Sequence, residues 1–151
     1  MIRLTKLTDY GFVVLSRFAT FGTGVQTARD LATQTNLPLP TVSKLLKMLA
    51  RHGLLVAHRG MKGGYHLARS AEEITVPQII AALDGPVAMT QCLGHEASNC
   101  TIECSCLLKP HWIRINGAIQ AALSQITLAE LSQPAFSQKH DHQPVLVEGK
   151  L

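Results

Sequence analysis

Leu39-Pro40-Thr41-Val42-Ser43-Lys44-Leu45-Leu46-Lys47-Met48-Leu49-Ala50-Arg51-His52-Gly53, followed by Leu54-Leu55-Val56-Ala57-His58 and then Arg59-Gly60-Met61-Lys62-Gly63-Gly64, decides the fold. Pro40 suits the first turn of a helix, where its missing N–H costs nothing. Val42, Leu45, Leu46 and Leu49 follow the i, i+3, i+4, i+7 spacing of a buried face. Ser43, Lys44, Lys47 and Arg51 fall on the opposite face, and Gly53 stops the helix. Residues 54–58 and 65–68 read as two short strands around a basic, glycine-rich tip, which is a β-hairpin.

Upstream, Thr27 followed by Asp30 resembles a capping box and opens a short helix through about residue 35. Asn36-Leu37-Pro38 makes the turn into the helix of the opening stretch. Residues 9–21 read as a first helix, with Thr8 as N-cap and Phe12, Leu15, Ser16 and Ala19 on one face. Two short helices joined by a tight turn and followed by a basic hairpin form a winged helix-turn-helix. That layout sends the second helix of the pair into a DNA major groove and the hairpin toward phosphates or the minor groove.

Charge agrees with this reading. The 151 residues carry a net charge of +4, and no acidic residue stands between Asp30 and Glu72. Lys44, Lys47, Arg51, Arg59, Lys62 and Arg69 all lie in that interval, as a phosphate-facing surface requires. Thr41, Ser43 and Lys44 are candidates for base contact, Lys47 and Arg51 for phosphate contact, and Arg59 and Lys62 for the wing. Each alone could equally be a solvated residue on an amphipathic element. Aromatic residues make up only 5%, which argues against a stacking platform for single strands. No apolar run is long enough to span a bilayer and no signal-peptide pattern opens the chain, so a cytoplasmic protein is expected.

Downstream, Thr75 caps a fourth helix over about 76–83, with Pro77 in its first turn and Gly85 at its end. Residues 86–110 break the periodicity and hold all four cysteines as Cys92-x7-Cys100-x3-Cys104-x-Cys106. Paired zinc knuckles need a different spacing. Thiolates clustered on one loop can instead wrap an iron–sulfur centre. Zinc and a metal-free thiol–disulfide switch are the other readings. Cys104 and Cys106 share a side if the backbone there is extended. A long helix follows over about 110–125, with Trp112, Ile115, Ile119, Ala122, Leu123 and Ile126 in a nearly heptad stripe. Thr127 and Glu130 form a second capping box, and residues 134–151 read as a polar, disordered tail. There is no nucleophile–base constellation and no phosphate loop, so an enzyme acting on a small-molecule substrate is not expected.

Together these features resemble the IscR-type family of bacterial regulators, which includes the nitric-oxide sensor NsrR and regulators of SUF-type cluster assembly. The resemblance rests on Met1-Ile2-Arg3-Leu4-Thr5-Lys6, Thr8-Asp9-Tyr10, Leu31-Ala32, Val42-Ser43-Lys44-Leu45-Leu46-Lys47, Gly53-Leu54-Leu55, Arg59-Gly60 with Gly63-Gly64-Tyr65, and residues 126–131, spanning about 1–133. It implies a mainly α fold with a small hairpin. A winged helix-turn-helix domain would occupy 1–85, a cluster-binding loop 86–110, and a dimerisation helix with a short closing helix 111–133. It further implies a homodimer on a two-fold double-stranded DNA operator and an iron–sulfur cluster, 2Fe–2S ranked ahead of 4Fe–4S. Cys92, Cys100 and Cys106 match the family's three-cysteine framework. The first spacing and the run 112–116 look closest to the SUF-regulator branch. Where that family places a histidine three residues after the last cysteine, this chain has Lys109. The fourth ligand is therefore open among Cys104, Asp9 (the position used across the dimer in the NsrR branch) and, ranked lower, His111. Asp9 could otherwise serve only the helix dipole, and His111 could be an ordinary surface residue. The implied role is repression of iron–sulfur assembly genes. Nitric-oxide or redox sensing is the alternative within the family, and an electron-transfer protein is the alternative outside it.

Overall fold

The computed structural model describes residues 3–22, 24–94 and 100–133. The expected tail, 134–151, lies outside the described residues. In chain order the elements are α1 (Lys6–Phe21), α2 (Ala28–Thr35), α3 (Leu39–Arg51), β1 (Leu55–His58), β2 (Gly64–Leu67), α4 (Val76–Asp84), α5 (Lys109–Ser124) and α6 (Leu128–Ser132). The fold is mainly α with one two-stranded hairpin. None of the described helices is long and apolar enough to cross a membrane.

α1 starts one turn earlier than the sequence suggests. Thr5, not Thr8, is its N-cap, accepting from Thr8 N at 3.2 Å. Thr8 is fully buried inside the helix. The reason lies far along the chain: Asp84 at the end of α4 accepts from Thr5 Oγ1 at 2.8 Å and from Thr5 N at 3.2 Å. This long-range bond fixes the cap on Thr5. Burial pushes the Asp84 carboxyl up, but hydrogen bonds with Thr8 and Thr5 outweigh it and hold the group below its ordinary value of 3.8. The buried face of α1 also differs from expectation. It is Thr8, Gly11, Val14, Leu15 and Phe18, while Phe12, Ser16 and Ala19 are only half-buried. Gly11 explains the rotation, since a Cβ there would overlap Leu83 Cδ1 of α4. The missing side chain lets the two helices approach closely.

The α2–α3 pair forms as the sequence predicts. Thr27 accepts from Asp30 N at 3.2 Å, although the Asp30 carboxylate takes the Thr27 hydroxyl at 2.7 Å rather than a backbone N–H. Asn36 ends α2 in the left-handed region, at φ 55°. Val42, Leu45, Leu46 and Leu49 are fully buried, and with Leu15, Phe18, Leu31, Ile74 and Ile79 they form the core. Burying each such side chain contributes about 1.5–3 kcal/mol.

β1 and β2 pair antiparallel in the register Leu55↔Leu67, Val56↔His66, Ala57↔Tyr65 and His58↔Gly64. Gln26 extends the sheet by one bridge, exchanging two backbone bonds of 2.8 Å with Tyr65. The C-terminal end returns to the same core. Leu128 N donates to Ile74 O at 2.8 Å, Val76 N donates to Ile126 O at 3.1 Å, and Leu128 is fully buried. The capping box of Thr127 and Glu130 forms as expected.

Candidate nucleic-acid interface and cysteine loop

The buried face of α3 dictates what its other face offers. Lys44, Lys47 and Arg51 are exposed and Thr41 and Ser43 half-buried. Pro40, Ser43, Lys44, Lys47, Met48 and Arg51 line one open concavity. The wing tip is closed by Gly63 N donating to Gly60 O at 2.9 Å, with Gly60 at φ 119°, where a side chain would be strained. Arg59 and Lys62 are exposed there. All seven residues named from the sequence thus lie on α3 or the wing, clear of the core. Met61 at the tip, overlooked in the sequence, is fully exposed. Methionine is among the apolar side chains that minor-groove binders insert as wedges. Its solitary position between glycines was the available signal.

The cysteine loop hangs between α4 and α5. Cys92 sits in a 3₁₀ turn, Gln91–Leu93, with its sulfur 3.2 Å from Thr90 Oγ1. Cys104 sits in a second turn, Glu103–Ser105, and Cys106 follows in extended backbone. The condition under which Cys104 and Cys106 would share a side, an extended backbone, is not met at Cys104, which the turn takes up. Cys92 and Cys106 are half-buried, and Cys100 and Cys104 exposed. Thiols on one loop are the donor chemistry of an iron–sulfur centre. Among the described residues, however, no three His, Cys, Asp or Glu side chains are grouped closely enough to hold a metal ion. The chemistry of the donor set fits such a centre.

Two anchors tie this loop to α5. Asn116 is the one buried residue of α5; its Oδ1 accepts from Met89 N and its Nδ2 donates to Val87 O, both at 3.1 Å. Gln120 Nε2 donates to the same Val87 carbonyl at 3.1 Å. An amide side chain thus pairs with residues 87 and 89 as a neighbouring strand would, three residues before Cys92. The second anchor is Lys109 Nζ on Glu103 Oε1 at 2.7 Å. The Glu103 hydrogen bond raises Lys109 above its ordinary value; burial pulls it down, and the charges of Glu103, Cys92 and Cys104 add to the rise. Neither anchor was identified from the sequence, since both pair residues across the loop.

Asp9 is exposed on α1 and lines a groove with Leu4, Phe12, Val13, Ser16, Val76, Ile126 and Leu131, none of them a cysteine. His111 is exposed in the first turn of α5. The stripe expected on α5 is largely uncovered: Ile115 is 42% exposed and Ile126 38%, while Trp112, Ile119 and Leu123 are half-buried. Leu107, Leu108 and Ile113 add to the exposed apolar surface.

Comparison with known proteins agrees with the winged helix-turn-helix fold. The chain is 35% identical over 102 residues to the HTH-type transcriptional regulator IscR of Serratia proteamaculans, covering 68% of this chain and 61% of that protein. It thus spans about three fifths of that relative's length. Among solved structures, CymR, the global cysteine regulator of B. subtilis, superposes with a TM-score of 0.67 at 27% identity, over 87% of this chain and 97% of that one. IscR of T. potens superposes with a TM-score of 0.60 at 27% identity, over 86% and 85%. The model of the Rrf2 family, described as iron-dependent transcriptional regulators, matches residues 4–134. With its winged helix-turn-helix and this match over most of its length, the chain belongs to the Rrf2 family of transcription regulators and is not an enzyme.

Proposed function

We propose that the protein is a homodimeric repressor that reads iron–sulfur cluster status and controls cluster assembly genes. The observation that carries this reading is the double attachment of the cysteine loop to α5, through Asn116 to Val87 and Met89 and through Lys109 to Glu103. Cys92, Cys100 and Cys106 are the proposed ligands, with Cys104, or Asp9 contributed across the dimer, as the fourth. When bound, the cluster supplies thiolate cross-links that are lost on iron scarcity or oxidation. Held by such a group, the thiols would pull on residues 87–89 and on the start of α5 through Asn116 and Lys109. The exposed apolar residues of α5 are the proposed dimer seam, so this pull alters the spacing of the two winged helices. Thr41, Ser43 and Lys44 would then meet base edges, and Lys47, Arg51, Arg59 and Lys62 phosphates, in each half-site.

The test is anaerobic purification with iron, sulfide and visible-absorbance assays, followed by operator binding of loaded and stripped protein at one salt concentration. A coloured protein containing sulfide, whose DNA affinity changes on stripping, is expected. Colourless anaerobic protein without sulfide refutes the cluster. Cys106→Ala is expected to abolish the chromophore while leaving a folded dimer; a retained chromophore refutes the ligand set.

A second reading is favoured by the exposure of Cys100 and Cys104 on the cysteine loop. In it, thiol oxidation or nitric oxide rather than iron is the signal. Comparing cluster decay and DNA affinity under peroxide, oxygen and nitric oxide separates the two.

A further inference from the structure

The wing turns one face to the core and one to solvent. Leu55 is buried and Tyr65 and Leu67 pack against the core, so Val56, His58, Gly64 and His66 alternate onto the outer face. Gly64, directly opposite His58, has no side chain. His58 therefore meets its diagonal neighbour, His66. His58 Nε2 and His66 Nδ1 are 2.8 Å apart, with ring centroids 4.7 Å apart and planes inclined by 24°. One nitrogen donates its proton to the other, so at least one ring is neutral in this arrangement.

We infer that this pair is a bis-imidazole site for a divalent transition-metal ion, with copper or nickel fitting best. Neutral imidazole is the commonest protein ligand for such ions. Imidazole nitrogens bind them at about 2.0–2.1 Å. Adjacent positions of a tetragonal or square-planar shell then lie roughly 2.9 Å apart, against roughly 3.3 Å around a tetrahedral ion. The observed separation of 2.8 Å, set by the shared hydrogen bond, already brings the two nitrogens to the spacing of adjacent ligand positions, from which both rings need only turn. Binding replaces the shared hydrogen bond. The donating ring carries its proton on its other nitrogen instead, both rings stay neutral, and both facing lone pairs turn onto the ion.

Among the described residues no third His, Cys, Asp or Glu completes a metal group there, so the remaining positions are open to water. Arg59 and Lys62 beside the pair oppose a free cation and keep the affinity modest. Against DNA the sign reverses, because a phosphate oxygen can fill an open position while the ion adds positive charge to the wing. That consequence rests on the DNA-binding reading; the site itself does not.

The test is a titration of the full, untagged chain with Ni²⁺ in the absence of DNA, followed by ¹H–¹⁵N spectra. Resonances of Val56, His58, Tyr65 and His66 are expected to shift or broaden together. His58→Gln and His66→Gln should each weaken that response at least about tenfold, since even outer-shell losses at metal sites reach this size. Wing resonances that stay unmoved while other signals respond would overturn the site, as would an equal wing response in both variants. So would an equal response to Mg²⁺, which prefers oxygen ligands and reports charge alone.

Discussion

Gly64→Ala isolates the attachment of the wing. A Cβ at this position would stand 2.5 Å from the Gln26 carbonyl oxygen, 2.7 Å from Val25 Cγ1 and 2.9 Å from the Gln26 carbonyl carbon. The first and last are backbone atoms and cannot swing aside. Relief comes from separating β2 from Gln26, which breaks Gln26 N→Tyr65 O and Tyr65 N→Gln26 O, each 2.8 Å. Two such bonds contribute about 2 kcal/mol net, and the backbone of Gly64, at φ 159°, is one that L side chains rarely adopt, which offsets any gain alanine makes by restricting the unfolded chain. The expected loss is therefore about 2 kcal/mol or more, read as a lower urea midpoint with unchanged slope. Parent and variant must be compared at one protomer concentration, because association would shift the midpoint. Amide exchange at Gln26 and Tyr65 should accelerate in parallel. DNA affinity should fall as the wing tilts, with the slope of log K against log salt reduced by about one for each lost phosphate contact. A variant within about 0.5 kcal/mol of the parent, the ordinary range for an inert surface change, and with both amides still protected, would refute the reasoning.

Asn116→Leu leaves Met89 N without its α5 partner and Val87 O with Gln120 Nε2 alone; a loss of about 1–3 kcal/mol is expected in urea unfolding, with faster exchange at Met89. Asp84→Asn should flatten the acid limb of stability. The Asp84 carboxylate is held below 3.8, so its contribution is complete above that pH and is lost as pH falls through the lowered value. The group is largely exposed and solvent screening keeps the effect small, so thermal melts of parent and variant should converge only in strong acid. Lys47→Ala and Arg59→Ala should each weaken DNA binding almost equally on operator and random sequence, and each reduce the salt slope by about one; a loss confined to the operator would reassign that residue to base contact.

What was legible in the sequence was what repeats along it. α3 could be read because Val42, Leu45, Leu46 and Leu49 recur at helical spacing and all four are fully buried. Features set by partners distant in sequence were not legible. Thr5 takes the cap from Thr8 because Asp84, 79 residues away, bonds to it. The buried face of α1 is centred near Gly11, a residue that carries no hydropathy signal yet marks where Leu83 comes closest. His58 and His66 become a pair only once the hairpin register puts Gly64 opposite His58.

The α5 stripe belongs to a third kind, a pattern visible in sequence whose meaning is not exhausted by one chain. Its apolar residues resemble a core face, yet Ile115 and Ile126 stay exposed in the fold, and the buried residue of the helix is the polar Asn116. A helix held by an amide rather than by its apolar side is positioned by the loop it clamps. Any displacement of Val87 or Met89 must either break the Asn116 bonds or carry the helix with it. Breaking them leaves the part-buried Met89 N unpaired at about 1–3 kcal/mol and Val87 O with Gln120 alone, whereas a small rotation of a helix whose apolar side is only half covered disrupts little packing. Movement of the helix is the less costly response, so the cysteine loop and the apolar stripe are coupled through Asn116 and Gln120, with Lys109 on Glu103 as the second link.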